Sequence, residues 1–255
     1  MKSKLHVVLA DIHYPEHDAR AIKSVFEFMR AHRKQIASVT LLGDALDCQS
    51  LSRHTKGKPR LRKQRGYRTD IDGFKRDILD PIEKIVSPTE ANLVYICGNH
   101  EDWIESELLD EMPELDGIVN IPVVLNLDAR GWNWYAIGEH VQIGRVILMH
   151  GDQIGSSVHV AKKMVESVNE TCVMGHVHRV SSYSKASLVT ERRKWCGYTL
   201  GCLCTVAPSY AKNAPNAFVT GFGVLEEWGS FVNVHSIIIM PNGEFSYGGE
   251  VYGQK

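Results

Sequence analysis

Five short stretches of the chain each carry two or three side chains able to bind a metal ion or move a proton. They are Asp11-Ile12-His13, Gly43-Asp44-Ala45-Leu46-Asp47, Gly98-Asn99-His100-Glu101, His150-Gly151-Asp152 and Gly175-His176-Val177-His178. Alone, each is ordinary: an Asp-x-His or His-x-His in a loop is common, and an Asn-His pair after glycine usually marks a turn. Together they supply seven nitrogen and oxygen donors: Asp11, His13, Asp44, Asn99, His150, His176 and His178. Imidazole, carboxylate and amide oxygen without thiolate suit borderline divalent ions, manganese foremost, with iron, zinc, nickel or cobalt as alternatives. An all-oxygen magnesium or calcium site would not use four imidazoles. Seven donors exceed the shell of one ion and suit two ions sharing a carboxylate. A pair roughly 3.5–4 Å apart can clamp the attacking and leaving oxygens of an in-line displacement, and it lowers the pKa of a bridging water to give hydroxide near neutral pH.

Each donor set follows a short apolar run: LHVVLA before Asp11, ASVTLL before Gly43, ANLVYIC before Gly98, RVILM before His150 and TCVM before Gly175. Such runs, bounded by glycine and charge, predict strands covered on both faces. Ligand crevices in α/β sheets lie at the carboxyl ends of strands, so all five sets can converge on one edge. Helical spacing is expected over about 18–33, 70–86, 101–111 and 156–168, with Pro81 kinking or dividing the second. GWNWYAI, with Trp132 and Trp134, suggests a strand near a sheet edge. From about residue 181 the pattern is strand-rich. FVTGFGVLEEW and FVNVHSIIIM flank a Gly-Ser turn, and PNGEFSYGG signals a terminal hairpin. The expected fold is α/β: a four-layer αββα sandwich of two mixed β-sheets flanked by helices, with the second sheet burying these late strands.

The 255 residues are 44% hydrophobic and 23% charged, ordinary globular values that exclude disordered and fibrous classes. No linker divides the chain, so one domain over 1–255 is expected, with a basic insertion at about 53–68. A net charge of −1 provides no global attraction to nucleic acid or anionic membrane. No apolar run reaches the roughly 18–20 residues of a spanning helix. The opening MKSKLHVVLAD runs straight into Asp11 without a small-residue cleavage site, and reads as a first strand. Cysteines 48, 97, 172, 196, 202 and 204 read as reduced, mostly buried thiols; Cys202 and Cys204 are too close for the usual zinc-knuckle spacing. A cytoplasmic location without membrane association is the resulting expectation.

The ordered series D-x-H, G-D-x-x-D, G-N-H-E, H-G-D and G-H-x-H, spanning residues 11–178, resembles the calcineurin-like metallophosphoesterase superfamily. The resemblance implies that Asp11, His13 and His178 hold one metal, that Asn99, His150 and His176 hold the other, and that Asp44 bridges them. It implies that His100 faces the substrate, stabilising phosphate or protonating the leaving oxygen. Glu101 stands where many relatives carry aspartate. Asp47 and Asp152 are candidate carboxylates that orient ligands, with the capping of their loops as the equal alternative. The Ser/Thr phosphatases of the superfamily follow the second motif with an arginine that grips phosphate. Here the residue is Cys48, which points away from that branch. The stretch Gly201-Cys202-Leu203-Cys204, with Pro208-Ser209-Tyr210, Pro215-Asn216 and Gly221-Phe222-Gly223, is more loosely similar to phage and bacterial DNA-repair-exonuclease-like members.

The segment RHTKGKPRLRKQRGYR, residues 53–68, concentrates positive charge beside the second donor set. Placed over the metals as a flap, Arg53, His54, Arg60, Arg62, Lys63 and Arg65 would neutralise the phosphates of DNA or RNA, and Tyr210 is a further candidate substrate contact. The alternative is a solvated loop whose charges serve solubility. The leading expectation is therefore hydrolysis of nucleic-acid or nucleotide-like phosphodiesters by in-line attack of a metal-bridging hydroxide. A broad phosphomonoesterase is the alternative. A non-catalytic scaffold is the third reading, but such a protein should have lost ligands, and none of the series is missing.

Overall fold

The computed structural model describes residues 3–52, 66–189, 193–206 and 216–253. The early apolar runs form parallel strands β1 (Lys4–Leu9), β2 (Ile36–Leu42), β3 (Asn92–Ile96) and β4 (Trp132–Tyr135), with β4 at the sheet edge. The second sheet is built from β5 (His140–Ile143), β6 (Val146–Met149), β7 (Thr171–Met174), β8 (Ser181–Ala186) and β9 (Lys194–Thr199), in the order β5-β6-β7-β9-β8. Its three central strands are parallel, and both edge strands run antiparallel to them.

The late strands β10 (Gly221–Trp228) and β11 (Phe231–Ile238) form the expected hairpin across the Gly229-Ser230 turn. Their place corrects the sequence reading. They extend the first sheet, in the order β11-β10-β1-β2-β3-β4, through antiparallel pairing of β10 with β1. Alternation of apolar residues fixes which faces of a strand are buried, but not which neighbour it pairs with. The terminal hairpin is present as β12 (Phe245–Tyr247) and β13 (Glu250–Tyr252).

Period-two side-chain placement separates the layers. Leu5, Val7 and Leu9 of β1 face a helical layer, whereas Val8 faces the second sheet. Between the sheets Val8, Ala10, Leu42, Val94 and Ile96 meet Val146, Leu148 and Val173. The outer face of the second sheet packs on α6 (Val160–Val168) through Met164, Val165, Cys172 and Met174. Helix, sheet, sheet and helix therefore stack as the four-layer αββα sandwich.

Helix α1 (Ala19–His32) starts where Asp18 accepts from the N–H groups of Arg20 and Ala21 at 2.9 and 3.2 Å, an N-cap. It buries Ile22, Val25, Phe26 and Met29 at helical spacing. Phe28, fully buried, sits among the rings of Phe222, Phe245, Tyr247 and Tyr252, which ties the terminal hairpin to the core. The segment around Pro81 is divided as expected. α2 (Tyr67–Phe74) passes through a π-helical stretch, Lys75–Leu79, into α3 (Asp80–Ile85), so the wide turn falls just before the proline. Beyond β3 follow the short α4 (Asn99–Trp103) and α5 (Ile121–Val124). No described helix is long and apolar enough to cross a membrane.

Candidate metal centre

The donor sets sit at the carboxyl ends of β1, β2 and β3 in one sheet and of β6 and β7 in the other. They therefore converge where the two sheets meet, not on one sheet edge. The backbone there is held in a conformation that L residues rarely adopt. Among the described residues, five of eight non-glycine positions at positive φ are donor candidates: Asp11 (52°), His13 (48°), Asp44 (49°), His176 (64°) and His178 (54°). Such strain persists where the surroundings impose it, typically at functional sites. Gly43 and Gly98 allow close approach. A Cβ on Gly43 would run into the His150 ring, and one on Gly98 would strike the Asp44 carboxylate.

Asp44 lies at the centre. Its Oδ1 accepts from the His100 backbone N–H at 2.9 Å. Its Oδ2 is 3.4 Å from His150 Nε2, 3.8 Å from His13 Nε2 and 3.9 Å from His100 Nε2. On one side, Asp11 Oδ1 is 3.3 Å from His178 Nε2, and His178 Nε2 is 3.1 Å from His13 Nε2. On the other, Asn99 Oδ1 lies 3.1 Å from His150 Nε2, with His176 nearby. Donor atoms of Asp11, His13 and His178 lie within 4.8 Å of one another, as do those of Asp44, His150 and His176. All seven candidates are thus together, in two groups on either side of Asp44.

The residues fit divalent cations. The Nδ1 atoms of His13 and His150 are engaged, with Asp47 Oδ1 at 3.1 Å and with the Leu42 carbonyl at 3.0 Å, which turns each Nε2 inward. The Nε2 atoms of His13 and His178 face each other, an arrangement that a shared cation satisfies. His176, which has a ring nitrogen grouped with Asp44 and His150, also has a buried Nδ1 with no hydrogen-bond partner among the described residues. The electrostatics favour positive charge. Burial opposes ionisation of Asp44, yet His150 and His100 hold its carboxyl well below the usual range. Burial likewise pulls His150 and His100 down, but Asp44, joined by Asp47 at His100, raises them to about 10 and about 9.

Glu101 does more than the sequence suggested. It is 1% exposed and accepts four hydrogen bonds: from the N–H groups of Asp44 (3.0 Å), Gly98 (3.0 Å) and Leu46 (2.9 Å), and from the Tyr95 hydroxyl (2.8 Å). It therefore caps α4 and fixes the Asp44 loop at once. Asp47 receives His13 Nδ1 on its side chain and His100 Nδ1 on its carbonyl, the latter at 2.6 Å. Burial opposes its ionisation, but the hydrogen bonds to His100 and His13 bring its pKa to about 2. Asp152 opens a short 3-10 turn, and its buried Oδ1 has no hydrogen-bond partner among the described residues. Arg53, His54, Arg60, Arg62, Lys63, Arg65 and Tyr210, and with them most of the basic segment, lie outside the described residues.

Three neighbours were missed from sequence. Trp103 packs on His100 with ring centroids 4.1 Å apart, Phe218 meets the His178 ring edge-on at 4.3 Å, and Cys204 Sγ lies 3.9 Å from His178 Nδ1. Only Trp103 had a usable signal, its i+3 spacing from His100 on one helix.

The family described as calcineurin-like phosphoesterase matches residues 6–192, and the chain belongs to this family. Membership supports a phosphoester hydrolase working with divalent metal ions. Similar solved structures include vacuolar protein sorting 29 from Cryptosporidium parvum, at 14% identity over 98% of this chain and 95% of that one, with a TM-score of 0.46. A Vps29 double mutant from Entamoeba histolytica shows 12% identity over 95% and 96% of the two chains, with a TM-score of 0.49. A predicted phosphoesterase from Streptococcus pneumoniae shows 12% identity over 98% and 97%, with a TM-score of 0.40. No curated protein matches the sequence.

Proposed function

We propose that the chain hydrolyses phosphodiesters of the nucleic-acid or nucleotide kind with two divalent cations, manganese foremost. Asp11, His13 and His178 would hold one, Asn99, His150 and His176 the other, with Asp44 shared. The observation that carries this reading is Asp44 itself: one carboxylate oxygen is pinned by the His100 N–H, while the other stands between His13 and His150. When bound, such a pair supplies Lewis acidity at the phosphate and hydroxide near neutral pH.

The chain's own residues account for the remaining chemistry. His100, with Nδ1 held by the Asp47 carbonyl, directs Nε2 toward Asp44 Oδ2, where a protonated ring can donate to a leaving oxygen. Asp47 and Glu101 keep the donors in place. A diester is favoured because Cys48 occupies the place of the phosphate-gripping arginine. A monoester dianion needs that extra cation more than a singly charged diester does.

The test is a manganese-supplemented panel of p-nitrophenyl phosphate, bis-p-nitrophenyl phosphate, cyclic nucleotides, and linear and circular DNA. Faster turnover of the diesters is expected. Hydrolysis confined to p-nitrophenyl phosphate would assign a monoesterase instead. Cleavage of circular DNA would mark endonucleolytic action, and cleavage of linear DNA alone exonucleolytic action.

A further inference from the structure

The His178 ring has a second chemical neighbourhood. Its Nε2 faces Asp11 and His13, but its Nδ1 faces sulfur. Cys202 and Cys204 are 0% and 1% exposed, and Cys204 Sγ is 3.9 Å from His178 Nδ1. The two sulfurs and a ring nitrogen of His178 all lie within 4.8 Å of one another. The stretch bearing the thiols is pinned on both sides. The Cys202 N–H donates to the Val219 carbonyl at 2.9 Å, and the Gly221 N–H donates to the Cys202 carbonyl at 2.9 Å. The Thr205 N–H donates to the Glu16 carbonyl at 2.7 Å, and Cys204 bridges to His17. The Cys-x-Cys spacing, too close for a zinc knuckle, nonetheless brings both sulfurs to one ring nitrogen across the bend at Leu203.

Two thiols and an imidazole form a soft donor set, unlike the nitrogen and oxygen donors across the ring. Around a tetrahedral zinc ion, bonds of about 2.3 Å to sulfur and about 2.0–2.1 Å to nitrogen place those two atoms about 3.6 Å apart. The observed 3.9 Å needs only a few tenths of an ångström of adjustment. As a hydrogen bond the same contact is long, so little opposes the change.

We propose that Cys202, Cys204 and His178 Nδ1 form a separate site for a thiophilic divalent cation of the zinc or cadmium class, sharing the His178 ring with the phosphoesterase centre. Binding exchanges two S–H bonds for two sulfur–metal bonds and, with Nε2 held at the phosphoesterase centre, the Nδ1–H bond for a nitrogen–metal bond, so three protons go to solvent and the ring bridges as imidazolate. Among the described residues no other cysteine belongs to such a group.

Cobalt(II) distinguishes the two kinds of donor. Nitrogen and oxygen ligation gives only visible bands, whereas thiolate ligation adds a sulfur-to-metal charge-transfer band in the near ultraviolet. Chelator-treated, reduced protein titrated with cobalt should develop both. The Cys202→Ser/Cys204→Ser variant should lose the near-ultraviolet band and keep the visible ones, which also shows that it has folded. Saturation of the visible bands in the wild type without a sulfur band overturns the proposal, and so does a sulfur band that survives the double substitution. If the variant fails to fold, the zinc-edge X-ray absorption of the zinc-loaded wild type decides. Sulfur scattering at about 2.3 Å is expected, and nitrogen and oxygen neighbours alone overturn the site. Both readouts are independent of phosphoester turnover, so this site and the proposed hydrolysis can fail separately.

Discussion

At the scale of single residues, the buried carboxylates of Asp44 and Glu101 hold different places around the donor groups. The Asp44 carboxylate stands between the two donor groups, and as their proposed bridge it makes Asp44→Asn the change that should remove hydrolysis while the circular dichroism spectrum stays that of the wild type. In the proposed mechanism His100 acts on the substrate side, so His100→Asn should lower kcat by about 10²–10⁴-fold with bound metal unchanged, measured by turnover beside metal analysis. Glu101 works through the Asp44 loop. Glu101→Gln keeps the shape but turns one accepting oxygen into an NH2 donor, so it loses the hydrogen bonds at that oxygen, and it should reduce metal affinity by about 10–100-fold in a competition titration with a chelating dye. The seven candidates that the fold brings together were legible because five sets, each ordinary alone, occur together at the ends of apolar runs. The function of Glu101 was hidden, because its partners are backbone N–H groups brought to it by folding. Phe218 and Cys204 near His178 were hidden for the same reason: they are 40 and 26 residues away along the chain.

At the scale of elements, the site depends on how strands end. The β2 strand stops at Gly43, where φ is +81° and the His150 ring lies against the open side of the backbone. Gly43→Ala therefore meets both a strained φ and a collision with a donor. It should lower the melting temperature and metal content together, read by calorimetry and metal analysis on one preparation. The ends of β1, β2, β3, β6 and β7 were readable because an apolar run that breaks into glycine and charge marks where a buried strand surfaces. The pairing of β10 with β1 was not readable. Val224 and Leu225 are apolar on both faces, a pattern that suits either sheet, and the choice is made by register with Val7 and His6.

At the scale of the whole molecule, the two sheets must hold their relation for five loops from both to meet. The aromatic cluster around Phe28 lies on the far side of the first sheet from that junction and locks the C-terminal hairpin to α1. Phe28→Ala should cost about 3–5 kcal/mol in denaturant unfolding, with the metal content of the folded fraction unaffected. Ions that bind the folded chain alone also add stability. At a free concentration near 100 times Kd that contribution is about 2.7 kcal/mol per site, so chelation should lower the melting temperature and manganese should restore it. The layered architecture was legible from alternating strands and helices. The meeting of both sheets at one site was not, because periodicity describes an element and not its partner.

The central claim is that the two donor groups around Asp44 act as one dinuclear hydrolytic centre. Its most direct test is to titrate chelator-treated protein with manganese while following bis-p-nitrophenyl phosphate hydrolysis and bound metal in the same samples. Turnover should be absent before metal is added, rise with the second equivalent, and level off near two ions per chain. Hydrolysis that survives chelation, or that reaches its plateau with a single bound ion, would contradict the account.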